Sequence, residues 1–195
     1  MFYLLLYFLI VLLLLAFLIA MSVYTLSLIY SSLMGAPYVA TRKKRIEEIL
    51  KEAGLKKGKI FVEVGCGDGR IVRTAVKKYQ VKGVGIDINP LLIIWARLLS
   101  HSRLDRESDS RLRGNDNKLD IIFKVENIFD TDLRKADYVY LFLMPKLIEK
   151  LALKINKELR KGTIVISHGF PIKRWKKKLF KTLERTPFPT YYYRV

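Results

Sequence analysis

The chain has few of the residues on which cross-links and metal centres depend. It contains one cysteine, Cys66, and two histidines among 195 residues. A single cysteine excludes an intramolecular disulfide, and no group of His, Cys and carboxylate residues has the spacing of metal ligands. The sequence therefore predicts a protein without a metal ion, in a reducing compartment, whose thiol packs in the fold rather than reacts.

Charge is absent from the beginning of the chain. No residue from 1 to 41 has a charged side chain, and 2–30 is almost continuously apolar. A bilayer core needs about 20 apolar helical residues, so this run is long enough to cross it. A cleaved signal peptide is the alternative, but it would carry a positive start and a shorter apolar core. We therefore predict one transmembrane helix within residues 1–34.

Acidic residues are outnumbered in the remainder of the chain. It holds 36 Lys and Arg against 18 Asp and Glu, which gives a formal net charge of +18. The cluster Arg42-Lys43-Lys44-Arg45 follows the apolar run, and the positive-inside rule places the rest of the chain on the cytoplasmic side. We expect a single-pass membrane protein.

Positive charge beside a membrane also favours contact with anionic lipid. Besides the helix, we predict that two basic faces of the domain bind lipid headgroups. The alternative interpretation is that both faces are simply solvated. Their residues are Lys146, Lys150, Lys154, Lys157 and Lys161, and then Lys173, Arg174, Lys176, Lys177, Lys178 and Lys181.

After the span, the length fits one compact domain, in which short apolar runs alternate with helical patterns. The predicted strands are 60–64, 83–87, 121–125, 138–143, 163–167, 179–184 and 190–194, and the predicted helices are 42–53, 69–79, 90–100 and 145–159. Such alternation is typical of a parallel sheet, with the last two strands pairing as an antiparallel edge hairpin. We expect a linker and leading helix over 35–58 and an α/β domain over 59–195. A polar segment at about 102–118 is predicted to be a mobile insertion.

The most informative motif is a glycine-rich turn after the first predicted strand, Glu63-Val64-Gly65-Cys66-Gly67-Asp68-Gly69. Glycine lets a ligand lie against bare backbone, and Asp87, which ends the next strand, can accept both hydroxyls of a ribose. Dinucleotide-binding turns have the spacing Gly-x-Gly-x-x-Gly, whereas this turn is Gly-x-Gly-x-Gly. The carboxylate of Glu63 would repel a pyrophosphate but suits an amino-acid ammonium. The motif therefore predicts S-adenosylmethionine as cofactor and methyl transfer as the reaction.

Several motifs in sequence order carry a family resemblance. They are Gly35-Ala36-Pro37-Tyr38-Val39 after the span, the glycine-rich turn with its continuation Arg70-Ile71-Val72, Asn89-Pro90-x-Leu92 with Arg97, and Phe170-Pro171. With them the chain resembles, from the span to about Trp175, the membrane-anchored lysine methyltransferases of the ATP synthase c-subunit and adenine nucleotide translocase family. The resemblance implies a Rossmann-like class I methyltransferase fold, and a lysine of a membrane protein as substrate.

The resemblance also implies roles for individual residues. Glu63, Gly65 and Gly67 would cradle the methionine end of the cofactor, and Asp87 would hold the ribose hydroxyls. The family usually has an aspartate near the adenine where this chain has Asn127, which can still accept a hydrogen bond from the adenine amine. The predicted cofactor-binding residues are Glu63, Gly65, Cys66, Gly67, Asp68, Asp87, Ile88, Asn127 and Ile128.

Catalytic residues are harder to predict, because methyl transfer requires chiefly that the acceptor be positioned. A lysine acceptor must lose a proton, which a partly desolvated pocket beside the sulfonium would favour. Tyr38 and Met144 are candidates to line that pocket, and His168 is a candidate proton acceptor. The alternatives are an interfacial anchor for Tyr38, a core position for Met144, and a capped or solvent-facing histidine.

Two other functions stay open. The same tether would serve a methyltransferase that acts on a small-molecule or lipid acceptor, and Asn127 together with the insertion is compatible with a non-catalytic cofactor-binding protein. Nucleic acid is disfavoured as a substrate, because the fourth predicted strand is followed by Leu143-Met144-Pro145. Enzymes that methylate base amino groups have an Asn/Asp-Pro-Pro-aromatic turn there.

Overall fold

The computed structural model describes residues 1–33, 41–107 and 120–195. The described helices are α1 (Phe2–Leu33), α2 (Lys43–Glu52), α3 (Arg70–Tyr79), α4 (Pro90–Glu107) and α5 (Pro145–Glu158). The described strands are β1 (Ile60–Val64), β2 (Lys82–Asp87), β3 (Ile121–Val125), β4 (Tyr138–Leu141), β5 (Ile164–His168), β6 (Leu179–Leu183) and β7 (Thr190–Arg194). A short 3-10 helix, Lys173–Lys178, lies between β5 and β6.

The strands form one sheet in the order β3-β2-β1-β4-β5-β7-β6. The strands β1 to β5 are parallel to one another, whereas β7 is antiparallel to both β5 and β6. The predicted Rossmann-like α/β sheet with an antiparallel edge hairpin is confirmed. The strand order reverses between β1 and β4, so the carboxyl ends of these two strands flank a crevice of the kind in which α/β proteins bind ligands.

Helices cover both faces of the sheet, because successive side chains of a strand point to opposite sides. Phe61 of β1 belongs to a core that includes buried residues of α2, α3 and α4. Its neighbour Val62 belongs to a second core, built with α5 and Trp175 of the 3-10 helix. Thus α4 and α5 lie on opposite faces of the sheet.

Helix α1 is apolar over Phe2–Tyr30, long enough by length and composition to cross a membrane or to serve as a signal sequence. From Phe2 to Tyr30 its side chains are exposed, except that Ser27 and Leu28 are half-buried. The Ser27 hydroxyl donates to Asn89 Oδ1 at 2.8 Å, and Asn89 Nδ2 donates to the Ser27 carbonyl oxygen at 3.1 Å. The C-terminal part of α1 is therefore hydrogen-bonded, through Ser27, to the residue that precedes α4.

Three elements differ from the prediction by more than one residue at an end. Helix α4 continues to Glu107, past the predicted end at residue 100 and into the predicted insertion, whose residues 108–118 lie outside the described ranges. Strand β4 ends at Leu141, the last residue in register with β5, because the chain then leaves the sheet to enter α5. The 3-10 helix was not predicted, since its dense run of lysines has no apolar period.

Candidate functional site

The glycine-rich turn joins β1 to α3 and is pinned to the end of β2. Gly65 and Gly67 have φ angles of 76° and 54°, in the left-handed region that favours glycine. The backbone N–H groups of Gly65 and Cys66 donate to the Ile86 carbonyl oxygen at 2.8 and 2.9 Å. The turn therefore presents backbone without side chains to the crevice between β1 and β4.

Asp87 lies next to this turn at the carboxyl end of β2. It is buried, and its Oδ2 accepts a hydrogen bond from Gly67 N at 2.8 Å, while Oδ1 accepts one from Asn89 N at 2.9 Å. Burial raises the pKa of the Asp87 carboxyl, although these hydrogen bonds oppose the shift. Each carboxylate oxygen has a second acceptor site, so the residue fits the ribose diol of the predicted cofactor.

Glu63 lies beneath the turn rather than in an open crevice. It is buried, and its Oε2 accepts a hydrogen bond from the backbone N–H of Val72 in α3 at 3.1 Å. Burial raises its pKa well above the usual range, and the nearby carboxyls of Asp68 and Asp87 add to the effect. In this structure the direct contact of Glu63 is with α3, so its predicted role at the methionine end of the cofactor stays a prediction.

Asp68 forms an ion pair with Arg70 at the end of the turn. Its Oδ2 accepts from Arg70 Nη2 at 2.7 Å. Burial opposes ionisation of Asp68, but the hydrogen bonds and charge of Arg70 leave its pKa below the ordinary value. Arg70 Nη1 also donates to the Thr41 carbonyl oxygen at 3.3 Å, which ties the turn to the segment before α2. Arg70 is part of the family motif described above, but its ion pair with Asp68 was not predicted.

Cys66 is buried within the turn, and its thiol lies 3.8 Å from the Gly67 carbonyl oxygen. Burial raises the pKa of the Cys66 thiol well above the ordinary value, and the nearby Glu63 and Asp87 add to the shift. A thiol in this setting stays protonated and is a poor nucleophile. Its surroundings support the predicted packing role.

The loop after β3 lies beside the end of β2, on the side predicted for the adenine. Glu126 N donates to the Asp87 carbonyl oxygen at 3.0 Å, which brings this loop next to β2. Ile88 and Ile128 are half-buried, and Asn127 is exposed. Asn127 Oδ1 accepts from Phe129 N at 3.0 Å, so an adenine amine would have to share this oxygen.

The acceptor candidates lie beyond the carboxyl ends of β4 and β5. Met144 is 44 % exposed where the chain enters α5, so it is not the core residue of the alternative interpretation. His168 is buried, with Nδ1 2.8 Å from Thr190 Oγ1. Burial and the charge of Arg45 lower its pKa to about 4, so His168 is neutral at pH 7 and a weak base. Tyr38 lies outside the described residues.

An aromatic cluster around His168 was missed by sequence reasoning. The rings of Phe142, Phe188 and Tyr140 lie 4.6, 6.0 and 6.4 Å from the imidazole, measured between centroids. Phe188 enters the cluster through the β6–β7 hairpin, far along the chain, so no local pattern could reveal this contact. On the α5 side, a surface groove of about 540 Å³ is bordered by Pro145, Phe170 and Pro171 and by the charged residues Lys146, Glu149, Lys150 and Lys173. Within the described ranges, no three His, Cys, Asp or Glu side chains are grouped for a metal ion.

Comparison with protein families adds independent information about this site. A family model described as the ANTKMT methyltransferase domain matches residues 63–179, which include the glycine-rich turn, Asp87 and α5. A protein-lysine N-methyltransferase of Saccharolobus islandicus is 35 % identical over 143 residues, covering 73 % of this chain and 81 % of the relative.

Two mammalian relatives are more distant. The mouse adenine nucleotide translocase lysine N-methyltransferase is 30 % identical over 73 % of this chain and 56 % of its own length. The human lysine N-methyltransferase of the ATP synthase c-subunit is 30 % identical over 71 % of this chain and 54 % of its own length. The chain thus spans about half the length of these mammalian proteins.

Solved structures share the fold. An RNA methyltransferase from Salinibacter ruber in complex with S-adenosyl-L-homocysteine superposes with a TM-score of 0.70 and 28 % identity, over 80 % of this chain and 94 % of that one. A methyltransferase from Geobacter sulfurreducens, also with S-adenosyl-L-homocysteine, has a TM-score of 0.53 and 15 % identity over 65 % of this chain and 48 % of its own. The second likeness concerns the fold alone.

Proposed function

Because the chain belongs to the ANTKMT methyltransferase domain family, we propose that it methylates lysine side chains of membrane proteins while α1 holds it in the bilayer. It is a methyltransferase that uses S-adenosylmethionine. The observation that carries the proposal is the glycine-rich turn, which is hydrogen-bonded to Asp87 inside the segment that the family shares.

The chain's own residues bind and orient the cofactor in this proposal. The bare backbone of Gly65 and Gly67 lets the methionine end approach, and Asp87 holds the ribose. The loop of Asn127 and Ile128 lies at the adenine. The bound cofactor supplies an electrophilic methyl group on a sulfonium, and the protein positions the acceptor against it.

A lysine acceptor is supported by the archaeal and mammalian relatives, all of which are named lysine methyltransferases. The acceptor side of the crevice is compatible with it. His168 is neutral at pH 7, so it adds no positive charge against an incoming ammonium group. The exposed Met144 adds an apolar side chain to this side, which favours the uncharged amine that reacts.

Membrane tethering is supported by α1 and by the exposed cations that follow it. The apolar run Phe2–Tyr30 is long enough to span a bilayer, and Arg42, Lys43 and Lys44 are exposed directly after it. The positive-inside rule then puts the methyltransferase domain on the cytoplasmic side. Substrates with a lysine close to that surface are the ones such a domain can reach.

The proposal is tested by supplying purified full-length enzyme and labelled S-adenosylmethionine to membranes from a strain that lacks this gene. Protein, lipid and nucleic acid are then separated. We expect label in a small membrane protein, recovered as methyllysine after hydrolysis. The Asp87→Ala variant is the matched control and should leave every fraction unlabelled.

Label in another fraction would contradict the lysine proposal. Label in lipid would indicate a lipid acceptor. Label in RNA would indicate an RNA methyltransferase, the activity named for the Salinibacter protein. Cofactor binding without label in any fraction would contradict methylation of any acceptor in these membranes.

A further inference from the structure

Helix α4 exposes a continuous apolar stripe on the side that faces away from the sheet. Leu91, Ile94, Trp95 and Leu98 are 36, 51, 54 and 56 % exposed. Positions i, i+3, i+4 and i+7 fall on one face of a helix, so these four side chains form one surface. The opposite face of α4 is also apolar, because Ile93 and Ala96 are packed in the core. A helix that is apolar on its outer side needs an occupant other than water.

The stripe begins where α1 touches the domain. Ser27 of α1 is hydrogen-bonded to Asn89, the residue before α4. Ser27 lies within the apolar run, three residues before its end at Tyr30. Three helical residues correspond to about 4.5 Å, so the first turn of α4 lies level with the last turn of that run. If α1 crosses a bilayer, this is the depth at which the chain leaves the hydrocarbon core.

The composition of the stripe and its neighbours fits the same place. Tryptophan concentrates at membrane–water interfaces, where its ring is partly apolar and partly hydrogen-bonded. Exposed cations follow α1 at Arg42, Lys43 and Lys44 and can meet anionic headgroups. A protein partner would also cover an apolar stripe, but the lipid is already brought to it by α1.

We propose that the Leu91, Ile94, Trp95 and Leu98 face of α4 lies in the membrane interface beside α1, with lipid as its occupant. The inference rests on the proposed anchoring of α1. The stripe holds the domain in one orientation, and Asp87 lies two residues before the Asn89 contact, so the cofactor site is held near the bilayer surface. The basic face of α5, on the other side of the sheet, is turned away from the lipid.

Trp95 itself provides the test, because the chain has only one other tryptophan, Trp175, which is 4 % exposed. The full-length Trp175→Phe variant is reconstituted in phosphatidylcholine and phosphatidylglycerol vesicles with bromines near the headgroup end of the acyl chains. We expect a blue shift of the Trp95 emission and a loss of its intensity. A helix in the interface lies about 5–10 Å below the headgroups, within reach of these bromines.

Two controls keep the outcome unambiguous. In the Trp95→Phe variant, the buried Trp175 should keep its intensity in the same vesicles. In the Ile94→Glu, Leu98→Glu double variant of the Trp175→Phe protein, the Trp95 emission should recover, because the charged stripe leaves the interface. If Trp175→Phe does not fold, the difference between wild type and Trp95→Phe spectra measures the same quantity.

Flotation of the vesicles separates the two proposals. If the protein floats but Trp95 is not quenched, α1 anchors the protein and the proposed lipid contact of α4 is wrong. Protein that does not float overturns both the anchoring and the contact, while methylation of detergent-solubilised protein still tests the enzyme activity independently.

Discussion

At the scale of single residues, Asp87 connects the glycine-rich turn, the start of α4 and the predicted ribose site. The Asp87→Ala variant loses an acceptor for Gly67 N and for Asn89 N, and the carboxylate that would bind two hydroxyls. Each hydrogen bond to a charged group contributes about 1.5–3 kcal/mol, so we expect at least about 100-fold weaker S-adenosylmethionine binding. Calorimetric titration of the folded variant measures this loss.

The matched control for Asp87→Ala is Asp130→Ala, which removes an exposed carboxyl from the loop after β3. It should bind the cofactor as the wild type does. Unchanged affinity of a folded Asp87→Ala protein would contradict the ribose contact.

The buried Glu63 predicts a dependence of stability on pH. Its pKa in the folded protein is well above the ordinary value of 4.5, because burial disfavours the charged form. Between these two values the folded state binds a proton that the unfolded state does not, so this residue lowers stability as pH rises. In Glu63→Gln the amide oxygen can still accept from Val72 N, and we expect a flatter fall of Tm as the pH rises above 4.5.

Thermal unfolding in detergent micelles at a series of pH values compares the two proteins. Glu184→Gln, at an exposed position, is the control and should follow the wild-type curve. Parallel curves for wild type and Glu63→Gln would show that the carboxyl stays ionised in the folded state.

At the scale of elements, Asn89 both precedes α4 as its cap and links this helix to α1. Its Oδ1 accepts from Leu91 N at 3.0 Å, which makes it an N-cap. Asn89→Ala removes the cap and the bonds to Ser27, and loss of an N-cap costs about 1 kcal/mol or more. We expect a lower Tm for Asn89→Ala, and a Tm close to wild type for Asn89→Ser, which retains a capping oxygen.

The Ser27→Ala variant separates the two roles of Asn89. It removes the hydroxyl on α1 but leaves the cap of α4 in place. If Ser27→Ala lowers Tm as much as Asn89→Ala does, then the contact between the helices, rather than the cap, carries the stability.

Most elements could be predicted because their signals are local. β1, β3 and β7 have the predicted bounds, since apolar or β-branched runs end there in glycine, polar or terminal residues. The glycine-rich turn and Asp87 were predicted to bind the same cofactor, and they lie together because parallel strands bring their carboxyl ends to one edge of the sheet. The Ser27–Asn89 pair and the burial of His168 by Phe188 could not be predicted. Both depend on long-range contacts that leave no period in the sequence.

At the scale of the whole molecule, the sheet separates two surfaces of different character. The side of α4 combines an apolar stripe with the end of α1, whereas the side of α5 exposes Lys146, Lys150 and Lys157. Composition alone does not decide which of the two surfaces contacts lipid, because lysine-rich and apolar faces each bind membranes. They cannot both lie flat on one bilayer, since they cover opposite faces of the sheet.

Charge variants can test which of these two surfaces contacts the membrane. We expect the Trp95 quenching to be stronger in vesicles with phosphatidylglycerol than without it, because Arg42, Lys43 and Lys44 attract anionic headgroups by about 1 kcal/mol each. Replacing these three residues by Gln should remove the dependence on anionic lipid. Replacing Lys146, Lys150 and Lys157 by Gln should preserve it, because α5 is turned away from the bilayer. The reverse pattern would put the basic face of α5 on the lipid, and the exposed stripe of α4 would then need a protein partner.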